Sequence, residues 1–291
     1  MSPKHLATRP NGPKESAMNV QKPKTADASL APLLRELHGS IALLTLNRPA
    51  ARNALSEALI AALHAEIDAI GANHAVRAVV IAANGPVFSA GHDLKELTAR
   101  RSDADGGRAY FRQIMTSCSA MMQAIVRCPK PVIAAVNGIA TAAGCQLVAT
   151  CDLAVASTTA RFATPGVDIG LFCSTPMVAL TRNVPRKQAM EILLTGEPVA
   201  AERAREIGLI NRVVTDGTER AEAIALGNLI ASKSTHTVKI GKAAFYRQAE
   251  MSLAEAYAYA SEVMTENMMA RDAAEGISAA IEKRKPRWED K

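Results

Sequence analysis

Apolar segments of strand length, each followed by a helical pattern, constrain the fold of this chain most strongly. In residues 77–83 only the first residue is charged, and an uninterrupted apolar run of this length is typical of a parallel strand that is covered on both faces. Residues 41–46, 131–138 and 152–157 have the same apolar character. Because helical segments alternate with these runs, the sequence predicts an α/β fold with a parallel sheet.

The segments between the strands carry apolar residues at helical spacing. The first helix follows a turn set by Pro49, and Asn53 or Ser56 is its candidate N-cap. Further helices are predicted at 110–126, at 144–151 and within 194–208, and the chain is helical from residue 216 onward. The apolar stripe of the first helix consists of Leu55, Leu59, Ile60, Leu63 and Ile67.

Length and composition fit a soluble globular protein. The 291 residues are enough for one large domain or two small ones. Hydrophobic residues make up 48% and charged residues 21% of the chain, and the mean hydropathy is +0.03. No apolar run reaches the roughly 18 residues that a membrane helix needs. We predict a flexible N-terminal tail at 1–30, a core with the active site at 31–214 and a C-terminal helical region at 215–291.

The net charge of +6 favours an anionic partner. The basic residues are concentrated in the N-terminal tail and at 283–287, so the middle of the chain is not a basic stripe. Only 3% of the residues are aromatic, which leaves few side chains for stacking on bases. This distribution argues against a nucleic acid as the partner.

Cysteine usage and the N-terminal tail indicate the compartment. The five cysteines form no CxxC pair and no His/Cys metal pattern, so we predict a reducing compartment and no metal site. Residues 1–30 contain no apolar segment of a secretory signal. We expect a cytoplasmic protein, with an organelle matrix as the alternative because the tail is poor in acids. The cysteines are Cys118, Cys128, Cys145, Cys151 and Cys173.

Two turns combine small residues with a preceding apolar strand. They are V-F-S-A-G-H-D-L-K-E-L at 87–97 and N-G-I-A-T-A-A-G-C-Q-L at 137–147. Alanine and glycine at the passage from strand to helix let the backbone approach a ligand and direct N–H groups at it. Side by side, such turns would form an oxyanion hole, in which each donor is worth about 3–4 kcal/mol to a developing enolate.

Four sequence blocks together resemble the crotonase, or enoyl-CoA hydratase/isomerase, superfamily. They are F-S-A-G-H-D-L-K-E, K-P-V-I-A-A-V-N-G with A-A-G-C-Q-L, F-A-T-P-G-V-D-I-G, and L-T-G-E-P-V-A-A-E-R-A-R-E-I-G-L-I, within residues 36–288. The resemblance implies a ClpP-like spiral of β-β-α turns and a C-terminal helical region that forms a homotrimer or a dimer of trimers. Apolar residues in that region that fit an oligomer interface or a core are Met251, Leu253, Tyr257, Met264 and Met268.

The resemblance also implies which residues form the site. The N–H groups of Ala90 and Ala143 would bind the thioester oxygen of an acyl-CoA, beside Gly91 and Gly144, and the helix from residue 144 would direct its positive end at the same oxygen. Lys95 and the K-R-K at 283–285 match positions on the CoA side. No separate cofactor is implied, because coenzyme A arrives as part of the substrate.

The acid/base residues depart from the family's pattern. Family hydratases use two glutamates, and the matching positions here are Gln146 and Gly166. Ser174 stands where several isomerases and dehalogenases have an acid. Glutamine binds water but does not exchange a proton near neutral pH, and glycine has no side chain. We therefore expect slow hydration, and we keep Gly166 and Ser174 as substrate-binding candidates.

The remaining polar residues near the turns have two interpretations each. His92 carries a proton or binds a substrate carboxylate, as in decarboxylases of the superfamily that also have G-H-D, or it only supports the loop. Gln146 positions a water or the acyl group, or packs near the helix start. Asp93 holds backbone N–H groups of its turn, or lies in the substrate site. Asp168 is a candidate base or a structural residue. Cys173, like Ser174, stands where other members of the superfamily place catalytic side chains, but a small buried residue that lines a pocket explains it as well.

Three functions fit these observations. The first is an enoyl-CoA hydratase/isomerase-family lyase whose oxyanion hole stabilises an enolate. The second is an acyl-CoA decarboxylase for a methylmalonyl-like substrate, in which the missing glutamates matter less because loss of CO₂ itself leaves the enolate. The third is a catalytically silent CoA-ester binder, which turnover of any thioester would exclude.

Overall fold

The strands of this chain form two separate sheets. The computed structural model describes Met1 and residues 31–291. The strands are β1 (Leu33–His38), β2 (Ile41–Leu46), β3 (Ala78–Ala83), β4 (Val87–Ser89), β5 (Val132–Val136), β6 (Ile139–Thr141), β7 (Leu153–Ser157), β8 (Arg161–Ala163), β9 (Val199–Ala200) and β10 (Arg212–Val214). The larger sheet has the order β1-β2-β3-β5-β7-β10, and the smaller sheet has the order β4-β6-β8-β9.

The helices follow pairs of strands. They are α1 (Glu57–Ala72), α2 (Leu94–Ala99), α3 (Arg108–Arg127), α4 (Ala143–Thr150), α5 (Pro176–Leu180), α6 (Arg186–Thr195), α7 (Ala201–Glu206), α8 (Glu219–Ala231), α9 (Thr235–Gln248), α10 (Leu253–Met269) and α11 (Arg271–Ile281). In β3-β4-α2, β5-β6-α4 and β7-β8-α5, the first strand joins the larger sheet and the second joins the smaller one. The predicted α/β spiral of β-β-α turns is therefore confirmed.

The strand β3 shows why the larger sheet is buried on both faces. Val79 and Ile81 point into the main core, while Ala78 and Val80 point into a second cluster on the opposite face. Leu226 of α8 belongs to that second cluster, so this helix covers the face of the sheet that the main core leaves open. The apolar run at 77–83 thus predicts both the strand and its two-sided burial.

The N-terminus of α1 resolves one alternative from the sequence. The Ser56 hydroxyl accepts the Leu59 N–H at 3.2 Å, so Ser56 is the N-cap. Asn53 lies outside the helix with a φ of +50° and makes other hydrogen bonds. The stripe predicted from periodicity is buried, which fixes α1 against the core.

A buried ion pair attaches the helix α9 to the larger sheet. The Lys242 ammonium donates to the Asp152 carboxylate at 2.7 Å and to the carbonyls of Ile125 and Lys130, each at 3.0 Å. The Tyr246 hydroxyl donates to the other oxygen of Asp152 at 2.8 Å. All partners of this carboxylate lie near the start of the parallel strands, away from the turns that follow β4 and β6.

The helix α10 presents apolar side chains that the described part of the chain does not cover. None of its residues is buried there, so these side chains do not belong to the core of a single chain. The interpretation as an oligomer interface stays a prediction. No helix of the described residues is long and apolar enough to cross a membrane. The exposed side chains of α10 are Leu253, Tyr257, Met264, Met268 and Met269.

Candidate active site

The two small-residue turns lie side by side because the strands before them are neighbours. β4 and β6 pair in parallel, so both turns leave the smaller sheet at the same edge. A Cβ on Gly91 would lie 2.8 Å from the Cβ of Ala142 and 3.2 Å from the Ala143 nitrogen, and the φ of Gly91 is +84°. Gly144 packs equally closely on Ser89. Only glycine fits at residue 91, and the backbones of the two turns are in contact.

Ala90 is not free to bind a substrate. Its N–H donates to the carbonyl of Arg52 at 3.0 Å. A residue has one backbone N–H, and this hydrogen bond uses it. This hydrogen bond counts against the prediction that Ala90 supplies a donor to the thioester oxygen, because the segment before α1 passes beside β4 and takes up that N–H.

Among residues 90–93 of this turn, His92 carries the N–H for which the described residues offer no acceptor. The N–H of Gly91 donates to the Ser89 hydroxyl at 3.3 Å, and the N–H of Asp93 donates to the Leu55 carbonyl at 3.4 Å. Since Gly91 touches the start of α4, the backbone of the next residue lies beside the first N–H of that helix. The unbonded N–H of the first turn is thus two residues further along than the donor that the sequence match suggested.

The start of α4 presents free N–H groups to the same place. Within the described residues, the N–H groups of Ala143, Gly144 and Cys145 have no acceptor, and the first helical bond is the one from Gln146 to Ala142 at 3.0 Å. The positive end of the helix adds to their attraction for an oxygen with negative charge. This geometry is what the predicted donor role of Ala143 requires.

The His92 side chain is half-buried, and both of its ring nitrogens are buried without a partner. Neither ring nitrogen makes a hydrogen bond of normal geometry to any described residue. Burial lowers the pKa of His92, and the nearby Leu55 carbonyl offsets this only in part. Burial thus favours the neutral ring, in which one nitrogen is a donor and the other an acceptor.

The two positions of the missing glutamates differ in the space around them. The Gln146 side chain is 5% exposed, and its Oε1 has no donor among the described residues. A Cβ on Gly166 would lie 2.8 Å from the Leu171 carbonyl oxygen and 2.9 Å from the Cys173 sulfur. Backbone and thiol thus occupy the space that a side chain at residue 166 needs.

Asp93 has a structural role at the start of α2. Its Oδ1 accepts the N–H groups of Lys95 and Glu96 at 3.1 and 3.4 Å, and its Oδ2 accepts from Arg48 at 3.0 Å. Burial raises the pKa of Asp93, but the hydrogen bonds from Arg48 and the backbone outweigh it, so the net pKa is lowered. The Lys95 side chain is exposed beside this cap.

The carboxylate and hydroxyl candidates of the third block do not reach the two turns. Asp168 is exposed, and its Oδ2 faces Gly196 at the end of α6. Ser174 is exposed, and its hydroxyl donates to the Phe172 carbonyl at 3.3 Å. Cys173 is buried, and burial raises the pKa of its thiol. These contacts favour the structural interpretation of Asp168 and pocket-lining for Cys173.

The basic K-R-K at 283–285 is partly neutralised. Arg284 pairs with Glu275 and Glu282, both at 2.6 Å, so its guanidinium is already bound. Lys283 and Lys285 are exposed. Among the described residues, no three His, Cys, Asp or Glu side chains group as metal ligands would.

Comparison with known proteins identifies the class to which this fold and site belong. A family model described as enoyl-CoA hydratase/isomerase matches residues 36–291. The chain therefore belongs to the enoyl-CoA hydratase/isomerase family, which confirms the resemblance seen in the sequence blocks.

Individual relatives are similar over most of their length. Rat enoyl-CoA hydratase domain-containing protein 3, mitochondrial, is 49% identical over 245 residues, which are 84% of this chain and 80% of the relative. The solved enoyl-CoA hydratase of Mycobacterium smegmatis is 51% identical with a TM-score of 0.84, covering 88% of this chain and 98% of that one. The human enoyl Coenzyme A hydratase domain-containing protein 3 structure is 47% identical with a TM-score of 0.84, over 88% and 100% of the two chains.

Proposed function

We propose that this chain binds an acyl-CoA thioester and holds its carbonyl oxygen between the N–H groups of His92 and Ala143, so that an enolate is stabilised. The observation that carries the proposal is that unbonded N–H groups of both turns lie where the two turns meet. The N–H groups of Ala90, Gly91 and Asp93 are used inside the fold, while those of His92 and Ala143 lie at the contact of the two turns without an acceptor among the described residues. Donors fixed in this way need no reorganisation when charge develops on the oxygen.

The same site does not support efficient hydration by two acids. Gly166 has no room for a side chain, and Gln146 does not exchange protons near neutral pH. The polar groups left near the proposed oxygen position are the imidazole of His92, both of whose nitrogens lack partners, and the amide of Gln146, whose Oε1 lacks one. We propose that they bind a water or a polar group of the acyl portion, because buried polar atoms require partners.

Two reactions are compatible with such a site. An enoyl-CoA hydratase/isomerase-family lyase with weak hydration is the first, and the relative from Escherichia coli named 2,3-dehydroadipyl-CoA hydratase, 34% identical, is in keeping with CoA thioesters as substrates. The second is decarboxylation of a methylmalonyl-like CoA ester, which is favoured by the absence of an acid at 146 and 166. We keep the silent CoA-ester binder as the outcome that turnover of any thioester would exclude.

Assembly and location are proposed on similar grounds. The uncovered apolar side chains of α10 support a homotrimer or a dimer of trimers, since a contiguous apolar face on a monomer would be exposed to water. Light scattering should report three or six subunits, and a monomer at micromolar concentration would contradict this. The rat relative is named mitochondrial, which supports an organelle matrix over the cytoplasm. The tail at 2–30, where a targeting signal was considered, lies outside the described residues.

The oxyanion proposal is tested by deleting one donor. Proline at residue 143 removes the N–H, and proline is tolerated at the first position of a helix. We expect Ala143→Pro to lose about 10²–10³-fold of any turnover found in a mass-spectrometric screen of enoyl-, 3-hydroxyacyl-, malonyl- and methylmalonyl-CoA esters. Ala143→Gly keeps the N–H and is the matched control. A folded Ala143→Pro protein with the activity of Ala143→Gly would contradict the proposal.

A further inference from the structure

The turn that contains His92 is bound along one side to the segment before α1. The Ala90 N–H donates to the Arg52 carbonyl at 3.0 Å, and the Leu55 N–H donates to the Gly91 carbonyl at 2.7 Å. The Asp93 N–H also donates to the Leu55 carbonyl, at 3.4 Å. Residues 52–55 thus form a template, meaning a segment that holds the turn in place by backbone hydrogen bonds. The position of this segment determines the direction of the His92 N–H.

The template has an unusual backbone that one buried side chain holds in place. Arg52 and Asn53 have φ values of +52° and +50°, in the left-handed region that costs most residues about 1 kcal/mol or more. Asn53 is fully buried. Its Oδ1 accepts the Arg48 N–H at 2.8 Å, and its Nδ2 donates to the Asn84 and Val87 carbonyls at 2.9 and 2.7 Å. Both ends of the amide are therefore used to fix the segment.

A hydroxyl joins the template to the turn itself. Ser89 is fully buried, and its hydroxyl donates to the Asn53 carbonyl at 2.9 Å. The same oxygen accepts the Gly91 N–H at 3.3 Å. Ser89 thereby binds residue 53 on one side and the peptide next to His92 on the other, so a shift of the segment is transmitted to the turn.

The Arg48 guanidinium connects the template to the turn that contains His92. Arg48 donates from Nη1 to the Ala54 carbonyl at 2.7 Å and from Nη2 to the Asp93 carboxylate at 3.0 Å. One end of this bridge lies in the template, and the other lies on the residue that follows His92. The planar fork of arginine holds two acceptors at a fixed separation, which a lysine cannot do.

We infer that Arg48, Asn53 and Ser89 are positioning residues that set the direction of the His92 N–H toward the N–H of Ala143. The inference rests on the proposed function, because it assumes that these two N–H groups bind a thioester oxygen. None of the three side chains is placed against the substrate. They act through the backbone of the turn, and a donor displaced by about 1 Å loses much of its effect on a reacting group.

The test uses the vibration of the bound carbonyl, which a role in stability alone would not change. Butyryl-CoA labelled with ¹³C at the thioester carbonyl is bound to the full chain, and its C=O stretch is compared with that of free butyryl-CoA by difference infrared spectroscopy. We expect the wild-type site to lower the stretching frequency. Arg48→Met should lose at least about half of this shift and bind butyryl-CoA about 3–10-fold more weakly, while binding of free CoA stays unchanged.

Further variants make the result specific. Arg48→Lys restores one of the two bonds and should recover part of the shift, and Asn53→Gly keeps the left-handed backbone while removing the three bonds of the side chain. Arg203→Met is the matched control, because among the described residues Arg203 pairs only with the exposed Glu206 on α7. Circular dichroism confirms that each variant is folded, and Arg48→Lys serves if Arg48→Met is not.

The outcomes separate the two proposals. A wild-type protein that binds butyryl-CoA without a shift of the carbonyl stretch overturns the oxyanion site and the inference together. A wild-type shift that persists in full in folded Arg48→Met and Asn53→Gly overturns the inference alone. Equal losses of the carbonyl shift in Arg48→Met and Arg203→Met would also overturn the inference, because they would show that removal of any arginine has this effect.

Discussion

Replacement of Gly166 by alanine tests whether the site is closed to a second acid. The added Cβ would lie 2.8 Å from the Leu171 carbonyl oxygen and 2.9 Å from the Cys173 sulfur, well inside normal contact. The Leu171 N–H donates to the Gly166 carbonyl at 2.8 Å, so the loop is tied to residue 166 and cannot move away without loss of that bond. We expect Gly166→Ala to lower the free energy of unfolding by about 1–3 kcal/mol, the usual cost of overpacking.

A second glycine gives the matched control. Gly241 lies in α9, and no atom lies within 4 Å of a Cβ added there. Gly241→Ala should therefore raise the free energy of unfolding by about 0.4–1 kcal/mol, because alanine loses less backbone entropy in a helix. Both variants are compared by urea unfolding. Equal stability of the two would refute the claim that Leu171 and Cys173 fill the space at 166.

The same comparison bears on catalysis. Gly166→Glu must place a carboxyl in the filled space, so we expect a less stable protein without faster hydration of crotonyl-CoA. Gln146→Glu replaces one side chain by another of the same length and should keep the fold. A Gly166→Glu protein that is stable and hydrates crotonyl-CoA faster than wild type would show that the loop opens at little cost.

Three further predictions concern buried groups. Lys242→Met leaves the Asp152 carboxylate without its cation and should cost about 3–5 kcal/mol in urea unfolding; a loss below about 1 kcal/mol would contradict this. Because the pKa of His92 is lowered on folding, the unfolded chain binds the proton more tightly, so wild type should lose stability relative to His92→Gln below about pH 6.5 and not above it. Burial raises the pKa of Cys118 and Cys145 to about 12, so thiol titration at pH 8 should be slow in the native protein and complete in urea; fast native reaction would argue for an open core.

The fold was predictable where burial is uniform along an element. Residues 78–83 are apolar on both faces, so the strand and its position in a parallel sheet follow from the length and the uninterrupted apolar character of the run. The strand β1 was missed because it lies at the edge of the sheet and most of its residues are exposed, which leaves no apolar pattern. The helix α2 is short and depends on the Asp93 cap rather than on a buried stripe.

The location of the candidate site was predictable, but which N–H group of the first turn is left unbonded was not. Small residues at 89–91 and 142–144 indicate where the backbone is accessible. Which N–H remains free depends on the bond from Ala90 to Arg52, two residues that lie far apart in sequence. No local pattern marks that bond. The nearest signal is the asparagine at 53, a residue type that tolerates the left-handed backbone from which the segment is built.

The placement of the donors in the backbone has an evolutionary consequence. A mutation changes a side chain, and of the twenty residues only proline removes an N–H, so the N–H groups of His92 and Ala143 are largely protected from substitution. The side chains around them, such as those of His92 and Gln146, can be replaced without loss of these two N–H groups. Under the proposed function, such a chain would retain its oxygen-binding donors while the neighbouring side chains change, and new reactions could be selected from an ancestor that already binds the charged intermediate.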